Sequence, residues 1–321
     1  MALILINGLG RSGTSWVHKT FDQHPNVFAS FEPESLVEHA LKKRLRDEDD
    51  DAAARDYVDA LFSCRGLRAM RKRPILKKPY RSGPAHVLRL SYIYAMSLLG
   101  KVLPFAERRI LAWPVPELAN LDGVTRVVKS VSQQYELARL VRVAPDMKVI
   151  YLVRHPCGQV YSHMRGLLSG KMFENYLPPR SDMQRLFDFD RPAKDLVEAD
   201  FDQLEINAYR WAVYNDVNYR AMVDLPNARL VTYEHLCADP RGVFRDIFEW
   251  AGLDFHERCA RFIDLSLTKG GDAHIQDYHA LVRNPMAAAN KWREDMDPSD
   301  ADRVKVICRR SAAAALFDDL E

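Results

Sequence analysis

The chain has 321 residues, 28% charged and 47% hydrophobic, ordinary globular values that argue against disorder, a fibrous repeat or a disulfide scaffold. Its formal net charge of +2 is too small to attract nucleic acid by bulk electrostatics, so an anionic partner has to be met by local clusters. Five widely spaced cysteines without a CxxC pair suit reduced thiols in a cytoplasm, and neither a disulfide framework nor a zinc site is expected.

The first residues, MALILINGLG, lack the charged start of a signal peptide, and no apolar run approaches the roughly 18 residues of a membrane span. A soluble, cytoplasmic protein is expected. Short apolar runs rich in β-branched residues predict strands at 3–6, 27–30, 126–129, 149–153 and 230–233. Helical patterns cover 14–22, 35–46, 52–62, 85–99, 132–143, 156–168, 201–223, 241–251 and 299–317. Strands that are apolar along their whole length are buried on both faces, so this alternation predicts an α/β fold of three layers, P-loop-like, with a central, mostly parallel sheet flanked by helices.

One domain over 1–321 is expected. The stretch 36–124 is longer than a crossover requires and reads as a helical insertion serving as lid or substrate-binding region. Within it, 42-KKRLRDEDDD-51 reads as an exposed helix end and linker. Arg65, Arg68, Arg71, Lys72, Arg73, Lys77 and Lys78 form a basic cluster without an acidic residue, either a solvated helix face or a surface for an anionic substrate.

The segment 6-INGLGRSGTSW-16 joins the first strand to the first helix. Gly8 and Gly13 keep the G-x-x-x-x-G spacing of a Walker A loop, but Thr14, followed by Ser15, stands where its lysine would be. Arg11 supplies a cation from inside the loop. Backbone N–H groups and the positive helix end can cradle a phosphate there, although a tight turn without ligand has the same outline. Without the lysine the loop suits the β/γ-phosphates and Mg²⁺ of ATP poorly, yet it can hold a terminal 5′-phosphate beside an arginine fork. A second anion site is predicted in 150-IYLVRHPCGQVYSHMRG-166, where Pro156 opens a helix directly after a strand and Ser162 follows Arg154 by eight residues. An arginine at the carboxyl end of a strand and a serine on the next helix can converge on one phosphate.

Together, 11-RSGTSW-16 and 152-LVRHPCGQVYS-162 resemble the two signatures of sulfotransferases that use 3′-phosphoadenosine 5′-phosphosulfate (PAPS). Those are a 5′-phosphosulfate loop and a 3′-phosphate motif with serine eight residues after its arginine. The segments 24-HPNVFASFEP-33, 126-RVVKSV-131, 230-LVTYEHLCADP-240 and 246-DIFEWAGL-253 are similar to further stretches of the carbohydrate-type members. His155 departs from the aspartate that many relatives carry, and the transmembrane anchor of Golgi-resident relatives is not evident, so their localisation is not carried over.

The resemblance implies sulfuryl transfer from PAPS to a hydroxyl of a carbohydrate, glycolipid or small-molecule acceptor, which can be anionic, with PAP as product and no metal required. It implies Glu32 as base with Glu34 in reserve, Arg11 and Lys129 as cations near the transferred group, and Lys77 as a weaker candidate. Cofactor contacts are expected from Arg11, Ser12, Gly13, Thr14, Ser15, Trp16, Arg154, Ser162, Lys291 and Trp292, with Arg293 as an alternative to Lys291. His155 and His163 are expected to be structural. Two other readings stay open at this point. One is an ATP-dependent P-loop kinase with a degenerate loop, and the other a non-catalytic nucleotide-responsive module that uses the 65–78 cluster as its interface.

Overall fold

Strand β1, Leu3–Gly8, places Ile4, Leu5 and Ile6 at 1% exposure or less, as a strand covered on both faces requires. Four more strands, β2 (Val27–Phe31), β3 (Thr125–Lys129), β4 (Met147–Val153) and β5 (Ala228–Thr232), form one sheet with it in the order β2-β3-β1-β4-β5. The strands are parallel and flanked by helices, the α/β architecture expected from the sequence. In the register, β3 sets Lys129 opposite Ile6 of β1 and opposite Phe31 of β2. The computed structural model describes residues 2–46, 50–72, 74–189, 192, 195–268 and 285–320. Arg73 of the basic cluster and residues 47–49 of the charge run lie outside the described residues.

By internal packing the chain divides into two compact units: Met1–Asn7, Thr14–Ile150 and Phe248–Phe262 in the first, Gly8–Gly13, Tyr151–Ile247 and Ile263–Glu321 in the second. The first unit contains α1 (Thr14–Gln23), α2 (His39–Leu45), α3 (Asp51–Ser63), α4 (Leu67–Met70), α5 (Gly83–Val102), α6 (Glu107–Ala112) and α7 (Leu137–Val143). Local chemistry starts two of these helices: Asp50 accepts from the Ala53 N–H at 2.7 Å, and Ser82 from the Ala85 N–H at 3.3 Å. A core of Phe28, Leu67, Ile93, Ile110 and Leu111 fastens α4, α5 and α6 to β2. Beside it, Arg81 forks onto both oxygens of Glu117 at 3.0 and 2.5 Å while Arg89 reaches the same buried carboxylate at 3.1 Å.

Three predicted helices are shorter than their patterns. The helix expected over 35–46 gives way to a 3-10 turn, Pro33–Leu36, because Glu32 is left-handed at φ 51 and Val37 is extended at ψ 139; α2 starts only at His39. Gln133, at φ 59, likewise delays the next helix to Leu137. Of the charge run, residues 42–46 close α2 and Asp50 caps α3, with Arg44 paired to Asp50 at 3.0 Å.

The second unit holds α8 (Pro156–Leu168), α9 (Arg180–Leu186), α10 (Gln203–Met222), α11 (Tyr233–Ala238), α14 (Pro285–Asp295) and α15 (Pro298–Cys308); α12 (Pro240–Ala251) and α13 (Glu257–Thr268) carry residues of both units. The helix expected over 299–317 ends at Cys308, and Ser311 caps a separate 3-10 turn, Ala312–Leu316. Among the described residues no helix is long and apolar enough to cross a membrane.

Candidate functional site

In the second unit the glycine-rich loop is shaped by close approaches. Gly8 has φ 148, and a Cβ there would lie 2.4 Å from the Leu152 carbonyl oxygen. Gly13 has φ 89, and its Cβ would lie 2.4 Å from the Tyr233 ring. Neither position accepts a side chain. Between them Arg11 is left-handed at φ 76, a strained conformation for a residue with a Cβ. Ser12 is buried and donates its N–H to the Leu9 carbonyl at 3.2 Å, closing the turn.

The loop is gripped by the segment after β4. Arg11 Nε donates to Ser162 Oγ at 3.0 Å. Arg154 Nη1 donates to the Arg11 carbonyl at 3.1 Å, and its Nη2 to the Ala288 carbonyl at 2.5 Å. Its guanidinium lies 4.9 Å from the Tyr233 ring centroid, while its buried Nε has no hydrogen-bond partner among the described residues. Gln159 Nε2 adds a bond to the Gly10 carbonyl at 2.8 Å. Arg11, Arg154 and Ser162, chosen from sequence, are thus brought together, although the terminal nitrogens of Arg154 are occupied by carbonyl oxygens.

Behind them, His155 stacks on Trp292 with centroids 4.6 Å apart and planes 6° from parallel. Its Nε2 meets Asp319 at 2.9 Å, yet burial outweighs that carboxylate and lowers the imidazole to about 4, so the ring is neutral near pH 7. A Cβ on Gly158 would come within 3.0 Å of Arg154 Nε and 3.1 Å of Trp292, so glycine is what admits both side chains. Lys291 pairs with Asp295 at 3.3 Å and Arg293 with Asp319 at 3.7 Å, both about half exposed. His163 is buried and meets the Phe173 carbonyl at 3.2 Å.

Sequence reasoning does not single out Gly158, Gln159 or Tyr233. The pattern over 230–233 makes Tyr233 a strand end; it is instead the first residue of α11, capped by Thr232, whose Oγ accepts from the His235 N–H at 3.3 Å.

In the first unit, Glu32 and Lys129 extend from adjacent parallel strands. The Glu32 N–H donates to the Lys129 carbonyl at 2.8 Å, and Lys129 Nζ donates to Glu32 Oε1. Lys129 is buried against the face of Phe31, 4.6 Å from its centroid, whereas the Glu32 side chain is 32% exposed. Glu34 is more enclosed: it accepts from Ser132 Oγ at 3.4 Å, and burial raises its carboxyl above the ordinary range. Glu32 lines two cavities, one of 880 Å³ and one of 480 Å³; Glu34 lines the smaller alone.

Thr14 opens α1 and is buried, with Ser15 and Trp16 half-buried in its first turn. The basic cluster splits. Lys78 is buried, donating to the His24 carbonyl at 2.9 Å and facing Asp22 at 3.6 Å, while Arg68, Arg71 and Lys72 face the larger cavity and Lys77 is exposed.

A family model described as "Sulfotransferase family" matches residues 4–257, which contain the loop, the Arg154 segment, Glu32 and Lys129. The chain belongs to the sulfotransferase family. Human carbohydrate sulfotransferase 2 is 23% identical over 98% of this chain, which spans 65% of that relative's length. Carbohydrate sulfotransferase 1 of Danio rerio is also 23% identical, with 95% of this chain and 75% of the relative covered. Among solved structures, mouse sulfotransferase SULT7A1 complexed with PAP matches at a TM-score of 0.49 and 13% identity, covering 98% of this chain and 87% of that one.

Proposed function

We propose that the chain transfers the sulfuryl group of PAPS to a hydroxyl of a carbohydrate, glycolipid or small-molecule acceptor, in the cytoplasm and without a metal. In this reading residues 1–321 act as one sulfotransferase domain whose helical stretch 36–124 serves the acceptor.

The observation that carries the reading is the meeting of Arg11 with Ser162 and Arg154, 151 and 143 residues away in sequence. The donor set fits a phosphorylated nucleotide. Among the described residues, Arg154 Nε is buried without a hydrogen-bond partner, and nothing lies within 4 Å of where a Cβ on Gly10 would stand. Arg11, Ser12 and Gly13, continued in the chain by Thr14, Ser15 and Trp16, hold the 5′-phosphosulfate end through backbone N–H groups, hydroxyls and one guanidinium. Arg154 and Ser162 take the 3′-phosphate, and Trp292, close to Gly158 as Arg154 is, helps to enclose the site. Lys291 reaches the nucleotide only by leaving Asp295.

When bound, PAPS supplies an activated sulfuryl group that needs no divalent ion bridging β- and γ-oxygens. Glu32 takes the proton of the acceptor hydroxyl, and Lys129 holds that carboxylate in place while offering a cation to the developing charge. Glu32 is favoured over Glu34 by its exposure to both cavities.

The test is Glu32→Gln, with transfer followed as PAP released from PAPS over a panel of oligosaccharide and alcohol acceptors. Turnover is expected to fall by roughly 10²–10⁴-fold with PAP affinity unchanged; a variant that turns over normally would remove Glu32 from this role.

A further inference from the structure

The 880 Å³ cavity beside Glu32 has a wall of one dominant sign. Arg68, Arg71, Lys72, Lys101 and Arg108 line it, against the carboxylates of Glu32 and Glu107. These cations come from separate segments: Arg68 from α4, Arg71 and Lys72 from the chain just after it, Lys101 from the last turn of α5, and Arg108 from α6. The Glu32 carboxylate is engaged by Lys129. Among the described residues Arg68, Arg71, Lys101 and Arg108 form no ion pair, whereas exposed arginines elsewhere, such as Arg241 and Arg303, are paired with carboxylates at 2.5 Å. Lys72 is held over the Phe31 ring, 4.6 Å from its centroid, and burial lowers its ammonium.

Gathering five cations against two carboxylates on one concave wall costs free energy through repulsion, which an anion bound there would offset. Arginine is suited to this because its fork donates two parallel hydrogen bonds to a sulfate or carboxylate.

We propose that this cavity binds an anionic saccharide, one that already carries a sulfate or carboxylate on a sugar neighbouring the unit presented to Glu32, and that Arg68, Arg71 and Arg108 hold that anion. The proposal rests on the sulfotransferase reading for the role of Glu32, but the anion site is measurable without turnover. The enzyme then acts after a reaction that has introduced the first acidic group into the glycan, by sulfation or by oxidation of a sugar to a uronic acid.

The experiment is calorimetric titration of the full chain with three dextran hexasaccharides: neutral, sulfated and carboxymethylated. At least one anionic form is expected to bind about tenfold or more tightly than the neutral one, and to weaken as salt rises. Arg68→Gln combined with Arg108→Gln should weaken the anionic ligand roughly tenfold. Arg258→Gln, which removes an exposed charge outside the cavity lining, should leave it unchanged, and thermal melts of each variant report the fold. Anionic binding no tighter than neutral, or full affinity in the folded double variant, overturns the proposal. PAP binding by the same proteins reports separately on the sulfotransferase reading; its loss in the wild type would sink that reading and leave the anion measurement standing.

Discussion

Arg11 is the residue on which the two phosphate signatures meet, and it is held at φ 76 by its neighbours rather than by its own preference. A left-handed conformation costs a residue with a Cβ about 1–2 kcal/mol. Arg154 offsets that by fixing the Arg11 carbonyl while a second nitrogen ties the same guanidinium to Ala288. Lysine cannot reproduce a planar fork. Arg154→Lys, though charge-conserving, is therefore expected to weaken PAP by about tenfold or more in an equilibrium titration; wild-type affinity would mean that the fork is dispensable. Arg11, Arg154 and Ser162 were legible because their spacing is a sequence pattern. Tyr233 and Gly158 were not, because their roles depend on approaches of 2.4 Å to a Cβ that Gly13 lacks and 3.0 Å to Arg154, which no local pattern encodes.

At the scale of elements, the helices α3, α5 and α8 were readable from their helical patterns, and Pro156 marked where α8 begins. The breaks at Glu32 and Gln133 were not, since each lies in a turn beyond a strand end, where long-range contacts rather than local propensity set the backbone. The helical stretch 36–124 was foreseen as helical, but the Arg81–Glu117–Arg89 triad within it was invisible because Glu117 lies 36 and 28 residues beyond its two arginines. Burial alone would push the Glu117 carboxyl up; the two arginines more than compensate and hold it below the ordinary range. Its stabilising contribution is present above the normal carboxylate pKa and is lost as pH falls through the lowered value. Glu117→Gln leaves two buried guanidiniums without a counter-charge. A loss of about 3–5 kcal/mol is expected in urea unfolding, and a loss below about 1 kcal/mol would show that the triad does not anchor this stretch.

Over the whole molecule, several histidines are buried in their neutral form. Burial lowers His18 to about 3 and His155 to about 4, and it lowers His24 and His163 as well. In the unfolded chain these rings take up protons near 6.5, so the unfolded state binds more protons between about 6.5 and the folded values. Stability is complete above that window and falls as pH drops through it. Calorimetric melting temperatures are expected to decline steadily from pH 6.5 to 4, less steeply in His155→Gln; a flat profile over that range would contradict the neutral assignments. The central claim concerns the ligand of the loop, and its most direct test is a thermal-shift titration with PAP, ADP and ATP, each with Mg²⁺ and with EDTA. At ~100 times its dissociation constant PAP should stabilise the fold by about 2.7 kcal/mol, a shift of roughly 2–4 °C that survives EDTA and exceeds that of ADP. A Mg²⁺-dependent response to ATP with none to PAP would contradict the account, and the arginine loop would then serve a kinase-like nucleotide site.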